Sequence, residues 1–202
     1  MLSTKTNVLE KRAAPAGRPR GFLPEQALQS ALEVFWEKGY EATSLDDLTR
    51  AMRLSRSSFY VCFGSKPALL MAAVESYANG FYDEIRAIAA GEPDPIRALR
   101  QIVARVVDVD GGARGCFFLN SVVELAPHND SLAAYSRVHL ARLTKLVANL
   151  LVRTGLHPSL CDDRATAVLA LAMGAIMLRK AGVPSSRLRA LLEQANLMLT
   201  AR

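Results

Sequence analysis

"LSRSSFYVCFGSK", Leu54 to Lys66, sets the question from which the rest of the chain can be read. It holds Arg56 and Lys66, no acid, a run of hydroxyls, and aromatics at Phe59, Tyr60 and Phe63. Ser55 can cap a short helix, in which Phe59 and Phe63 fall four apart and share the inner face. Arg56, Ser57 and Tyr60 are then left at the helix start and on its outer side. Core packing accounts for the two phenylalanines. It does not account for an uncompensated cation beside hydroxyls and an outward tyrosine.

The flanking sequence is also helical in period, with no strand and no tandem repeat. Upstream, residues 24–38 place Leu28, Ala31, Leu32, Phe35 and Trp36 on one side, with Pro24 early and Gly39 just beyond the end. Ser44 to Asp47 resembles a capping box and opens a short helix whose Leu45, Leu48 and Met52 share a face. Downstream, longer helices are expected at about 67–90, 95–109, 114–126, 130–154, 163–181 and 186–200, with "GLHPSLCDD" as a turn. The segment 163–181 is apolar almost all round, so it must be covered on several sides. The expected fold is all-α with about nine helices. Residues 1–21 form a flexible basic arm, 22–66 a three-helix unit and 67–202 a larger helical domain.

Charge singles out the same third of the chain. Net charge is +6, yet residues 1–20 alone carry an excess of four positive charges, and residues 50–66 carry four cations against no acid. The remainder is therefore slightly acidic, and such asymmetry points to a polyanion met by the first third only. Half of the residues are hydrophobic, which fits a globular chain. No apolar run approaches the ~18 residues that span a bilayer, so no membrane partner is expected. The polar, basic start has no signal-peptide core, and the three cysteines are odd in number and far apart. Both suggest a cytoplasmic protein with reduced thiols.

Two short helices joined by a tight turn, the second opening on a cap with basic and hydroxyl residues, form a helix-turn-helix. The first residues of the second helix meet base edges while neighbouring groups hold phosphates. Arg56 can donate twice to a guanine edge, with Ser57 and Ser58 short enough for close approach. Tyr60, Lys66 and the Thr43–Ser44 helix start suit the DNA backbone. Gly17 to Arg20, "GRPR", is extended and basic, so Arg18 and Arg20 suit a narrow minor groove, or merely aid encounter.

"TSLDDLTRAMRLSRSSFYVCFGSKPALL", with "EKGYEATS" before it, resembles the DNA-binding region of the tetracycline-repressor (TetR/AcrR) family of bacterial regulators. The features are Thr43–Ser44, Ser55, the pair Phe59–Tyr60, and Phe63 followed by "GSK" and "ALL", over about residues 24–75. The resemblance implies a homodimer on double-stranded, palindromic operator DNA, paired through the last two helices, with a small-molecule effector held in the larger domain. Carried over by position, Arg56, Ser57 and Ser58 face bases, while Thr43, Ser44, Tyr60 and Lys66 hold the backbone. Arg53 stands in the turn where the family often has Gly. A left-handed backbone there would cost roughly 1–2 kcal/mol, tolerable if Arg53 also meets a phosphate. Val61 and Cys62 stand where a second Tyr and a His are common. The stripe Leu188, Leu191, Leu192, Ala195 and Leu199 on the last helix is expected to pair across the two-fold axis.

In the larger domain, "GCFFLNSVVELAPHND" repeats Cys116, Asn120 and Glu124 at four along an apolar segment. Asn120 and Glu124 then face a bonded neighbour such as His139 or Arg105, a ligand cavity, or the dimer interface. A cavity would draw its walls from Tyr77, Phe81, Phe117, Phe118, Tyr135, Met173 and Met177, and would take a moderately hydrophobic effector with one or two polar groups. Cys116, beside Gly115 and near Arg114, is either inert packing or a thiol that reacts with electrophiles, as in regulators with a similar "GCxxxN" segment. His157 and Cys161 lie four apart around Pro158 without a second pair, so no metal or other cofactor is expected. No motif positions a nucleophile with a base, and three histidines offer few general bases, which counts against an enzyme. A DNA-binding factor without an effector remains open on the sequence.

Overall fold

A computed structural model describes residues 24–200. The basic arm, with Arg18 and Arg20, lies outside the described residues. Among those described, all regular structure is helical. Three short helices come first: α1 (Pro24–Lys38), α2 (Leu45–Met52) and α3 (Arg56–Phe63). Six longer ones follow: α4 (Lys66–Gly91), α5 (Pro95–Val107), α6 (Phe117–Leu125), α7 (Asp130–Arg153), α8 (Pro158–Lys180) and α9 (Ser185–Thr200), with a short 3-10 turn at Ala126–His128.

Two apolar clusters organise the helices. Ala31, Leu32, Phe35, Leu48, Met52 and Phe59 of the first three helices pack with Leu69, Leu70, Val74 and Ala78 of α4. Phe117, Phe118 and Leu125 of α6 and Leu132 of α7 complete that cluster. The second cluster joins the far end of α4 to α5, α7, α8 and α9. α4 therefore belongs to both clusters, its first half packing with the three short helices and its second with the distal bundle.

Three sequence expectations need correction here. α6 begins at Phe117, not near 114, because Gly112 and Gly115 both sit at φ +72°, outside the helical region. Cys116 is therefore the residue before the helix rather than one of its turns. α8 begins at Pro158 rather than 163: proline at the first helical position loses no hydrogen bond, and the His157 ring accepts from the Ser159 N–H. Cys161 is thus buried in a helix, its thiol directed at the His157 carbonyl at 3.4 Å.

The third correction concerns α9. Leu188, Ala195 and Leu199 are only 1–2% exposed, and Leu191 and Leu192 are half-buried against the same cluster. The expected partner-facing stripe is instead the side that α9 lays on its own α5 and α8. An amphipathic helix at the edge of a bundle spends its most continuous apolar face on the nearest core. The large apolar side chains left outward on the last two helices include Leu160, Met177, Leu178 and Leu197.

Candidate nucleic-acid interface and effector cavity

α2 and α3 are set by short-range hydrogen bonds. The Ser44 hydroxyl accepts from the Asp47 N–H (3.1 Å), and the Asp47 carboxylate accepts from the Ser44 N–H (3.0 Å), a complete capping box. Lys38 donates to the same carboxylate at 2.8 Å, and this bond, followed by those from Ser44, holds the Asp47 carboxyl far below the usual carboxylate range. Arg53 closes α2 in the left-handed region, at φ 55° and ψ 40°. Its own N–H donates to the Arg50 carbonyl and that of Leu54 to Thr49, which satisfies the end of α2. Ser55 then caps α3 by accepting from the Ser58 N–H at 3.1 Å.

α3 presents the surface that the sequence anticipates. Phe59 is fully buried and Phe63 packs behind it, while Tyr60 stands 54% exposed against the Phe59 edge. Arg56 projects outward and donates through two nitrogens to the Asp46 carboxylate, at 2.8 and 3.2 Å. Both partners are well exposed, so water screens the pair and it holds Arg56 only weakly. Ser57 is exposed and Ser58 half-buried, each hydroxyl 2.9 Å from that of Ser55. Lys66 opens α4 with its ammonium 4.2 Å from the centre of the Tyr40 ring. Sequence reasoning passed over Tyr40, although it lay in the quoted "EKGYEATS".

Thr43 does not belong to this surface. It is 1% exposed, and its hydroxyl donates to the Gly39 carbonyl at 2.6 Å, tying the α1–α2 loop. A side chain so placed cannot reach a phosphate. Ser44 stays exposed, but its N–H and hydroxyl are engaged by Asp47, and Asp46 adds a second negative charge to the first turn of α2. The anion site expected at this helix start is already filled by the chain's own carboxylate.

The expected effector residues fall in three places. Phe117, Asn120, Glu124 and Met177 line a cavity of about 410 Å³ between the end of α1, α6 and α8. Trp36, Tyr40 and Lys180 share its wall. Within it, Lys180 donates to the Asn120 side chain (2.8 Å), which itself donates to the Arg114 carbonyl (2.9 Å). The Glu124 carboxylate accepts from the backbone N–H groups of Tyr40 (2.9 Å) and Glu41 (3.1 Å), bridging α6 to the α1–α2 loop. Neither His139 nor Arg105 partners Asn120 or Glu124; Arg105 pairs with Glu84 at 2.6 Å and lies over the Phe81 ring.

A second set is interior. His139 is 2% exposed, stacked on Tyr135 and tilted against Phe118 at 4.8 Å. Burial, with the positive charge of Arg142 behind it, pushes the His139 pKa down to about 4, so the ring is neutral at pH 7. Its Nδ1 and the Tyr135 hydroxyl are both buried without a hydrogen-bond partner among the described residues. Cys116 and Tyr77 form a third place beside Trp36 and Phe117, where burial and then the neighbouring Cys116 raise the Tyr77 phenol. Phe81 and Met173 line neither the cavity nor the histidine stack.

Comparison with known proteins accounts for both halves. The family model for bacterial regulatory proteins of the tetR family matches residues 27–73. That for the C-terminal domain of LmrA/YxaF-like transcriptional regulators matches residues 94–194, half of the chain. The chain belongs to the tetR family. This tetR-family chain is 34% identical over 122 residues to YezE of Bacillus subtilis (strain 168), an uncharacterised HTH-type transcriptional regulator, covering 59% of this chain and 63% of that one. It is 29% identical over 129 residues to the transcriptional repressor BdcR of Escherichia coli (strain K12), covering 62% and 66%. The matched region thus spans just under two thirds of these relatives. A cysteine mutant of the tetR-family regulator CifR, solved on a 26-base-pair operator duplex, superposes with a TM-score of 0.73 at 28% identity. That match covers 89% of this chain and 98% of the other.

Proposed function

We propose that the chain is a transcriptional repressor that binds a palindromic operator as a homodimer and is released by a small, moderately hydrophobic effector. The observation that carries this reading is α3 itself, capped by Ser55, anchored by Phe59 and offering Arg56, Ser57 and Tyr60 to solvent beside Lys66. Arg56 reads a base edge, Tyr60 and Lys66 hold phosphates, and Arg53 on the turn adds a further backbone contact. Arg18 and Arg20 extend the contact into the minor groove. The relation to BdcR, a repressor, and to CifR, solved on operator DNA, supports this assignment. The work takes place in the cytoplasm, where bacterial DNA lies.

Operator symmetry needs two recognition helices about one duplex turn or more apart, hence two copies. With the Leu188 stripe used internally, the pairing surface falls on the outward faces of α8 and α9, through Ala167, Ala170, Gly174 and Leu178 with Leu197 opposite. The effector occupies the cavity at Asn120 and Glu124, where it competes for the bond that ties α6 to the α1–α2 loop. Titrating the protein onto DNA upstream of its own gene and then adding candidate effectors tests the reading. Binding without sequence preference, or without release by any effector, points to a ligand-independent DNA-binding factor; no binding revives the all-helical enzyme.

One observation favours a reactive effector. The Cys116 thiol is half-buried and neighbours the Tyr77 phenol, whose ionisation it disfavours, in the same apolar cluster as Trp36. Alkylation there would wedge the aromatic contact between Trp36, Tyr77 and Phe117. Cys116→Ser is expected to keep operator binding and to lose release by a quinone or aldehyde. Release that persists in this variant removes Cys116 from the mechanism.

A further inference from the structure

A second concavity, far along the chain from α3, has no part in the reading above. Between the C-terminal half of α4 and the second half of α7 runs an open groove of about 470 Å³. Its floor is apolar, with Tyr82 and Ala89 from α4 and Leu146 and Leu150 from α7. Arg86, Arg142, Lys145 and Arg153 edge it, and none of its ten lining residues is an acid. The cavity at Glu124 differs in this respect, since Glu37 and Glu124 there offset Lys38 and Lys180.

The local partners leave most of this charge uncompensated. Arg86 pairs with Asp83 at 3.2 Å, both largely exposed. Arg142 donates to the neutral Asn79 side chain (3.1 Å) and lies 4.1 Å over the Tyr82 ring. Arg153 donates to the Pro93 carbonyl at 3.0 Å. Lys145 has no acidic partner among the described residues. Arg142 and Lys145 are three apart on α7, so their like charges repel, and Arg153 lies farther along the same face. A dianionic head removes that repulsion, and an apolar tail covers the floor beneath it.

The size selects the class of occupant. A stable protein partner needs roughly 800 Å² of contact and about 20 residues a side, whereas ten residues line this groove. Its volume falls instead in the ordinary range for small ligands. From Arg142 to Arg153 the helix advances roughly 16 Å, the scale of a medium-length alkyl chain.

We propose that this α4–α7 groove is a binding site for a free single-chain amphiphile with an anionic phosphate head, the head held by Arg142 and Lys145 and the tail laid on Tyr82, Leu146 and Leu150. The proposal does not rest on the operator reading, and its test needs no DNA. Calorimetric titration of the full chain with decyl phosphate, below its micelle concentration, is compared with decyl maltoside (a similar tail on a neutral head) and with inorganic phosphate (the head alone). Decyl phosphate is expected to bind at least tenfold more tightly than either. Lys145→Glu, at an exposed position, should weaken it at least tenfold, and Ala90→Trp, which fills the groove, should do likewise, with the thermal unfolding of both variants unchanged. If decyl maltoside or inorganic phosphate matches decyl phosphate, or if both variants bind as the unmodified chain does, the site is refuted. Should Lys145→Glu fold poorly, Lys145→Gln carries the same test at a smaller expected loss.

Discussion

α3 and α9 each carry an apolar stripe read from spacing alone, yet only α3 points the way its spacing suggested. In α3, Phe59 enters the core because the eight-residue helix has one apolar side and a single neighbouring core to meet. In α9, the stripe of Leu188, Ala195 and Leu199 had two places to go, a partner chain or its own bundle, and the bundle took it. Periodicity says that a face is buried; it does not say against what. A helix with one available core can be oriented from sequence, and a helix between two cannot.

The largest effect expected from this contrast lies in α3. Replacing Arg56, Tyr60 and Lys66 together by alanine should weaken operator binding on the order of a thousandfold, while the helical circular dichroism is kept. Equal binding by this variant would show that the outer side of α3 is not what reads DNA.

On the last two helices the expected effects separate fold from assembly. Leu199→Ala should cost about 2–5 kcal/mol in urea unfolding, through the cavity it leaves, with the dimer intact by light scattering. Leu178→Glu should give monomers with near-normal monomer stability. The reverse pattern would restore the Leu199 face as the subunit contact.

His139 tests the interior between α4, α6 and α7. Its folded pKa of about 4 lies below the ordinary 6.5, so the unfolded chain takes up a proton first as pH falls. Stability should therefore decline from just above pH 6.5 down to pH 4, by about 2 kcal/mol between pH 7 and pH 5. His139→Phe should flatten that part of the profile, and an unchanged slope would assign it to other groups. The smallest effect is expected at the turn. Arg53→Gly should raise stability by about 1 kcal/mol by relieving the left-handed backbone, with a modest loss of operator affinity measured by gel shift.

Much of the geometry of α2 and α3 was legible because its determinants are local. Ser44 with Asp47 and Ser55 with Ser58 act across three positions, so a short window of sequence contains each donor and its acceptor. The left-handed backbone at Arg53 was anticipated only through the family resemblance, as a condition on a turn position where Gly is common. Thr43 misled because its partner, the Gly39 carbonyl, is a backbone group that composition does not reveal. The expected effector residues scattered because helical spacing puts Phe117 and Tyr135 in similar apolar patterns, although their helices deliver one to the cavity between α1, α6 and α8 and the other to a buried stack.

The sequence by itself determined the order of the helices, the caps of α2 and α3, and the outward placement of Arg56, since these follow from contacts within a few residues, while the Asp46 carboxylate that pairs with Arg56 came from the neighbouring helix. Tertiary structure alone decided that Glu124 would hold the Tyr40 amide, 84 positions away, that α9 would turn its leucines inward, and that four cations of α4 and α7 would line one groove. Those outcomes depend on which helix faces lie opposite one another, and that is settled only when all the apolar faces compete at once for a limited core.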